Sequence, residues 1–370
     1  INIVCALYTL SRYKRNFNVF LSFCRAFARL ILKGDYALRV FTVTRRQNQE
    51  YPINKSVRSC QYIVRQDVPG RGDMEQVKRQ IGWGNAFSYG ITGRDVGVAV
   101  LDTGVFLHQD IRDRVVVFQD MLRGRRNPYD DNSHGTHVCG IIGGDGQASG
   151  GRFQGMAPEC RLICVKVLDR KGNGFATDVL EGLRWVRENR EKYGIRIVNI
   201  SVGSFNRKVM GENSALVKGV DAAWDDGLVM VIAAGNQGPK AMTITTPGIS
   251  RKAITVGSSD DNQAIFVMGN RMVDYSGRGP TESCILKPDI VAPGSKIISC
   301  SNMPSKYQIK SGTSMSTPLV SGAIALLLEK YPWMTNKDVK LRIMERAVDL
   351  GLPHNQQGWG MLDVERLLLD

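Results

Sequence analysis

The stretch Val96-Gly-Val-Ala-Val-Leu-Asp102-Thr-Gly104 reads as an apolar strand that ends in a carboxylate and a turn. Nothing before Asp102 in it carries a polar side chain, so the strand has no solvent face. Residues 161–168, 195–202, 228–233 and 253–257 repeat this pattern as short apolar runs. Between and after them lie helical stretches, residues 176–192 with Val179, Leu183 and Val186 on one face, and the strongly apolar residues 318–330. Strands apolar on both faces, alternating with helices, imply an α/β fold of three layers. A mostly parallel central sheet is covered by helices on both faces. Active sites in such sheets form where loops leave the carboxyl ends of the strands, which is where Asp102 stands.

Of the 370 residues, 43% are hydrophobic and 23% charged, which excludes a mainly disordered chain, a collagen and a coiled coil. No apolar run approaches the roughly 20 residues of a membrane-spanning helix. The net charge is +14, and +10 of it falls in residues 1–66, where Asp35 and Glu50 oppose twelve basic side chains. There Phe20, Phe23, Phe27 and Leu30 share one helix face, a pattern suited to packing on a partner surface. No nucleic-acid recognition motif accompanies the charge. Asp67-Val-Pro-Gly-Arg-Gly-Asp73 reads as an exposed linker, so the chain divides into residues 1–70, a basic extension, and 71–370, the main domain. The eight cysteines show no C-x-x-C spacing and sit in apolar segments, the pattern of free buried thiols. With no clear basic-then-apolar export signal, this favours the cytoplasm over secretion.

Three segments carry chemistry. The first is Asp102-Thr-Gly104, which taken alone is also the pattern of a turn-forming aspartate. The second is Asn132-Ser-His134-Gly-Thr-His137, where Ser133 is an N-cap candidate that puts His134 in the first helical turn and His137 one turn deeper in a structural position. The third is Ser311-Gly-Thr-Ser314-Met-Ser-Thr-Pro318, which puts Ser314 at a helix N-terminus, where free N–H groups favour developing negative charge. An acid, an imidazole and a serine are the parts of nucleophilic acyl transfer. Gly235-Asn236 after a strand offers a side-chain donor for an oxyanion, and is otherwise a turn.

The order Asp102, His134, Ser314, with Asp-Thr-Gly, His-Gly-Thr-His and Gly-Thr-Ser-Met-Ser-x-Pro, resembles the subtilisin family of serine proteases over residues 74–370. The resemblance implies a subtilisin-like fold and an endopeptidase acting on polypeptides. Asp102, His134 and Ser314 are then the triad, and Asn236 with the Ser314 backbone N–H the oxyanion hole. Gly172 and Gly174 on one side, and Ser201, Val202 and Gly203 on the other, resemble the edge segments between which the family binds an extended peptide. Ala233, Ala234 and Gly235 line the pocket for the residue before the scissile bond. Asp289 matches a structural motif.

No cofactor is implied for the chemistry. Secreted relatives often bind calcium near residues 143–154, where this chain has one acid, Asp145, a thin set for a cation that takes roughly 6–8 oxygens; the resemblance leaves a structural calcium open, no strong site is expected there, and no metal ligand is assigned. That loop resembles those of cytoplasmic or minor bacterial subtilases. Residues 1–70 stand where the family carries an inhibitory propeptide, with residues 36–44 and 59–66 as its candidate strands. The alternative to an active enzyme is a pseudoprotease that binds without cleaving. All three triad types are present, which favours the enzyme.

Overall fold

A computed structural model of the chain describes residues 56–59, 62–63, 74–84, 89–203, 211–267 and 270–370. All described residues belong to one compact unit, Ile53–Asp370. In chain order the strands are β1 (Ser56–Ser59), β2 (Tyr62–Ile63), β3 (Gly97–Asp102), β4 (Val115–Asp120), β5 (Arg161–Lys166), β6 (Asn173–Phe175), β7 (Ile195–Ile200), β8 (Val202–Gly203), β9 (Val229–Ala233), β10 (Ile254–Ser258), β11 (Ile265–Val267), β12 (Asn270–Met272), β13 (Ile290–Ala292), β14 (Ile297–Cys300) and β15 (Tyr307–Ser311). The helices of seven residues or more are α1 (Met74–Gln80), α2 (His134–Gly143), α3 (Ala176–Tyr193), α4 (Ala215–Asp225), α5 (Thr313–Lys330) and α6 (Asn336–Arg346).

Seven strands pair in parallel in the order β13-β10-β9-β7-β3-β5-β4. Every residue of β3, β9 and β10 is buried, as strands without a polar face require. Edge strand β4 instead exposes Val116 and buries only Phe118 and Asp120. α2 packs against α5, and α3 against α4, giving helices on both sides of the sheet. Val179, Leu183 and Val186 are the buried face of α3. The three-layer α/β architecture expected from the sequence is the one found.

The expected strand over 195–202 breaks at Ser201. β7 ends at Ile200, and Val202–Gly203 leaves the central sheet to pair antiparallel with β1. The break has a tertiary cause, because Ser201 is turned to α5 by hydrogen bonds described below. The expected strand over 59–66 is also different. Its described parts fall in β1 and β2, which pair with the main domain: β1 with β6 and β8, and β2 with β15. The expectations for residues 20–30 and 36–44 and for the linker 67–73 lie outside the described residues.

Cys139, Cys160, Cys164 and Cys300 are free and buried, as expected, and Cys139 and Cys164 bring their sulfurs to 3.7 Å. Burial pushes the Cys160 thiol up to about 12. Cys284 departs from the expectation and takes part in a disulfide. Three tryptophans pack against the domain: Trp224 is buried, Trp185 stacks on Tyr193 at 5.9 Å, and the Trp83 indole N–H donates to the Met156 carbonyl at 2.8 Å. No helix among the described residues is long and apolar enough to cross a membrane.

Candidate active site

β3 carries Asp102 to the carboxyl edge of the sheet, where its Oδ1 accepts the Thr103 N–H at 2.7 Å. α2 begins against this turn. The two backbones approach so closely that a Cβ on Gly135 would lie 2.1 Å from the Gly104 carbonyl oxygen, and Gly104 itself has φ +110°. Both glycines are therefore steric requirements of the site. The Thr103 hydroxyl accepts the Gly135 N–H at 2.9 Å and donates to Asp130 at 2.9 Å. Lys166, buried at the end of β5, donates to the Thr103 carbonyl and to Asp131. Asp102 and the start of α2 are thus clamped from three sides.

The N-terminus of α2 is capped differently from the expectation. Ser133 stands at the cap position but makes no side-chain cap bond. Its hydroxyl goes to Gln308 at 3.3 Å. The work falls to Asp130, which accepts the N–H groups of Asn132, Ser133 and Thr136 and the Thr136 hydroxyl. Burial alone would raise the Asp130 carboxyl, but these bonds, led by those from Thr136, hold it below the usual range. Asn132 Oδ1 accepts the His134 N–H at 3.2 Å. His134 sits in the first turn, as expected, and its Nδ1 lies 2.7 Å from Asp102 Oδ1. Its Nε2 has no hydrogen-bond partner among the described residues. His137 is structural: its Nε2 lies 3.1 Å from both the Ile297 and Gln308 carbonyls, and burial, then the charge of Lys310, keeps the ring neutral.

Ser314 is the second residue of α5. Pro318, four residues on, has no N–H to give the Ser314 carbonyl. Ser201 supplies the missing donor, its hydroxyl reaching that carbonyl at 3.2 Å. The exchange is reciprocal, since the Ser314 hydroxyl donates to the Ser201 carbonyl at 2.8 Å. Asn199, at the end of β7, donates to the Ser201 hydroxyl and accepts from Ser321 on α5. This pair of serines pulls the chain out of the sheet after Ile200.

Asn236 follows β9. Its Oδ1 accepts both the backbone N–H and the hydroxyl of Thr313, each at 3.0 Å, which fixes which end of the amide faces α5. The Thr313 hydroxyl in turn accepts the Gly235 N–H at 3.1 Å. Asp102 and Asn236 thus stand at the carboxyl ends of β3 and β9, and His134 and Ser314 at the amino ends of α2 and α5; Asp102 meets His134, and Asn236 meets Thr313 beside Ser314. Thr103, Asp130, Lys166 and Thr313, which hold them, were not singled out from the sequence. Each is an ordinary turn or strand residue until the fold supplies its partner.

The two edge segments flank a third strand. β1 lies between β6 and β8, antiparallel to both: Val57 faces Gly174, Arg58 faces Asn173 and Gly203, and Ser59 faces Val202. β2 pairs with β15, Tyr62 facing Ser311 and Ile63 facing Lys310. Gly174 is pressed against the Val167 carbonyl, where a Cβ would lie 2.4 Å away. Gly172 turns the chain into β6 with its N–H on the Asp169 carbonyl at 2.9 Å. Ala233, Ala234 and Gly235 are buried behind β8, across Thr245.

Asp289 is structural, as expected. It accepts from Thr255 N–H and from Lys287 and Lys340, whose charges offset burial and keep its carboxyl low. The loop after α2 is reached by a carboxylate from elsewhere, Asp110. Its oxygens accept the Ala148 N–H and the Tyr307 hydroxyl, both at 2.7 Å. His108, Asp110 and Cys300 bring donor atoms within 4.8 Å of one another, all buried, but Asp110 N–H also occupies His108 Nδ1 at 3.1 Å. Oxygens already taken by protein donors do not fit a calcium shell of roughly 6–8 ligands.

A parallel α/β sheet that carries Asp, His and Ser in this order, with an asparagine beside the serine and two edge strands flanking a third, has the arrangement of the subtilisin-like class. The chain belongs to the Subtilase family, which it matches over residues 93–360. It is 41% identical to serine protease AprX of Bacillus subtilis (strain 168) over 267 residues, 68% of this chain and 60% of that protein. It therefore spans less than two thirds of that relative's length. It is 34% identical to subtilisin Savinase of Lederbergia lenta over 280 residues, 76% of this chain and 93% of that one. Among solved structures, Sphericase aligns with a TM-score of 0.65 at 31% identity, covering 77% of this chain and 98% of the other.

Proposed function

We propose that the chain is a serine endopeptidase that hydrolyses peptide bonds through an acyl-enzyme on Ser314. The observation that carries this is β1, an extended segment held by main-chain pairing between β6 and β8 beside the serine. A groove that holds one extended peptide by its backbone accepts others, which is peptide recognition by strand addition.

In the proposed reaction the Ser314 hydroxyl turns from the Ser201 carbonyl to His134 Nε2. Its oxygen attacks the scissile carbonyl carbon as Nε2 takes the proton. Asp102 on Nδ1 keeps that ring nitrogen protonated and stabilises the imidazolium. The Asn236 amide and the Ser314 N–H stabilise the oxyanion. When the C–N bond breaks, His134 returns the proton to the leaving amine. Water then repeats the sequence on the ester and restores the serine. The family needs no cofactor for this chemistry.

The same reading makes residues 1–60 an intramolecular inhibitor that the enzyme removes. β1 pairs up to Val202, next to Ser201, and β2 pairs with Ser311, three residues before Ser314. The two residues between the strands are Cys60 and Gln61, so the Cys60–Gln61 bond is the proposed cut. Intact-mass measurement and N-terminal sequencing of wild type and Ser314→Ala test it. A new N-terminus at Gln61 in wild type alone supports self-cleavage. The same N-terminus in both proteins sinks it, and a folded wild type inert on casein after residues 1–60 are removed sinks the endopeptidase reading.

A further inference from the structure

β11 and β12 form a hairpin of their own, outside the central sheet and outside the sheet that contains β2. Ile265 faces Met272, Phe266 faces Arg271 and Val267 faces Asn270. Only two residues join Val267 to Asn270, so this closing pair exchanges the hydrogen bonds next to the turn. Opposed pairs alternate along an antiparallel ladder. Phe266 and Arg271 therefore exchange none, and the N–H and C=O of Phe266 point away from β12. This outer edge of β11 has no strand paired to it among the described residues. β2 lies next to it, since Cα atoms of β11 and β2 approach within 8 Å. Stacked sheets lie roughly 10 Å apart, so the hairpin stands beside β2 rather than over it. β2 is itself an edge strand, paired only with β15 in the order β14-β15-β2.

The base of the hairpin is tied to β15. Asp274 N–H donates to the Asp261 carbonyl at 2.7 Å, and the Arg278 guanidinium lies 3.6 Å from the Asp274 carboxylate and 3.7 Å from that of Asp261. Asp260 accepts the Gly294 and Ser295 N–H groups at 2.7 and 3.1 Å, and the next N–H, of Lys296, donates to the Ser311 hydroxyl at 2.8 Å. Ser311 is the β15 residue that faces Tyr62. The same few residues thus hold both edges that flank β2. We propose, resting on the endopeptidase reading, that the part of a substrate beyond the cut bond binds as a strand between β15 and β11, where β2 lies, so that the enzyme favours polypeptides that continue past that bond over peptides that end near it. β2 shows half of this arrangement, since it pairs with β15 alone. A longer strand paired on both edges would join β14, β15, β11 and β12 into one sheet and add the outward backbone groups of Phe266 to its bonds. Recognition through the backbone selects length and extended conformation rather than sequence.

The test starts from a bond that the full chain, after processing is complete by intact mass, cuts in casein. Two amidated peptides carry the same residues before that bond, one ending a single residue after it and the other four residues after it. Wild type, Phe266→Pro and a variant with residues 265–272 replaced by two glycines are compared by chromatography of the shared product. Wild type is expected to favour the long peptide in kcat/KM by about tenfold or more. Phe266→Pro removes one outward donor and leaves the bonds to β12, so it should cut that preference about threefold or more. The shortened variant should lose most of the preference, and both variants should keep kcat/KM on the short peptide within about twofold of wild type. A wild type that cuts both peptides equally, or a preference unchanged in both variants, overturns the inference while the endopeptidase reading stands. A folded, processed wild type that cuts no bond in casein overturns both. If the shortened variant does not fold, the ratio measured with Phe266→Pro decides.

Discussion

Thr313 donates twice to one oxygen of Asn236, from its backbone N–H and from its hydroxyl, each at 3.0 Å. The residue before the proposed nucleophile thus orients the side chain that would receive the oxyanion. Helix α5 positions both with one turn of backbone.

Replacing Thr313 with Val keeps the shape and removes one of these donors. It also removes the acceptor of the Gly235 N–H. We expect kcat to fall about tenfold with KM within about twofold, because the loss concerns a charge that develops only in the transition state. Asn236→Leu should cost about 10²–10³ in kcat by the same logic. Steady-state kinetics on a peptide anilide read both. An Asn236→Leu variant with wild-type kcat would remove Asn236 from the mechanism.

The 2.7 Å contact between Asp102 and His134 Nδ1 predicts a large effect of Asp102→Asn. The amide can present an N–H to Nδ1 and favour the wrong tautomer. A fall of about 10⁴ in kcat near neutral pH is expected, with the variant still folded by near-UV dichroism. Activity within tenfold of wild type would show that Asp102 does not orient the imidazole.

The exchange between Ser201 and Ser314 predicts a coupled pair. Ser201→Ala removes the buried hydroxyl that donates to the Ser314 carbonyl and should cost about 1–3 kcal/mol of unfolding free energy. Pro318→Ala restores an N–H that can reach the same carbonyl within the helix. In that background Ser201→Ala should cost less. Denaturant midpoints for the four proteins of the cycle measure the coupling, and purely additive effects would contradict it.

Lys78 predicts a pH dependence of stability. Burial over Trp83, with the ammonium 3.6 Å from the ring centroid, pushes its pKa from 10.5 down to about 7, Glu75 opposing. The folded pKa lies below the unfolded one, so between pH 7 and 10.5 the unfolded chain binds more protons and stability rises with pH. Lys78→Met should flatten this rise and stabilise most below pH 7. Urea midpoints at pH 6, 8 and 10 measure it, and an unchanged pH slope in the variant would assign the dependence elsewhere.

The placement of the three proposed triad residues was legible because each sits in a short local signal: a strand end for Asp102, a helix start for His134 and for Ser314. What holds the triad was not. Asp130 and Ser133 are equally good caps by composition, and only the fold decides that the serine hydroxyl turns to Gln308. The break at Ser201 was hidden for the same reason, since Ile195, Ile197, Val198 and Ile200 carry a strand pattern up to that point and the bond that ends the strand comes from 113 residues away. β1 was the hardest to see. Its partners are Asn173–Phe175 and Val202–Gly203, and Ser56-Val-Arg-Ser59 carries no hydrophobic alternation to announce a strand. A segment held by backbone pairing leaves little trace in side-chain pattern.

β1 is part of the same covalent chain as the groove it occupies. Its occupancy is therefore a unimolecular equilibrium, set by the tether and blind to dilution. A free peptide with the sequence of residues 56–63 must instead reach the groove from bulk solution, against a tethered rival whose effective concentration is on the order of millimolar. The free peptide should thus inhibit the processed enzyme far more weakly than the attached segment does. A first cut made within one molecule should follow first-order kinetics, with the same half-time at nanomolar as at micromolar protein.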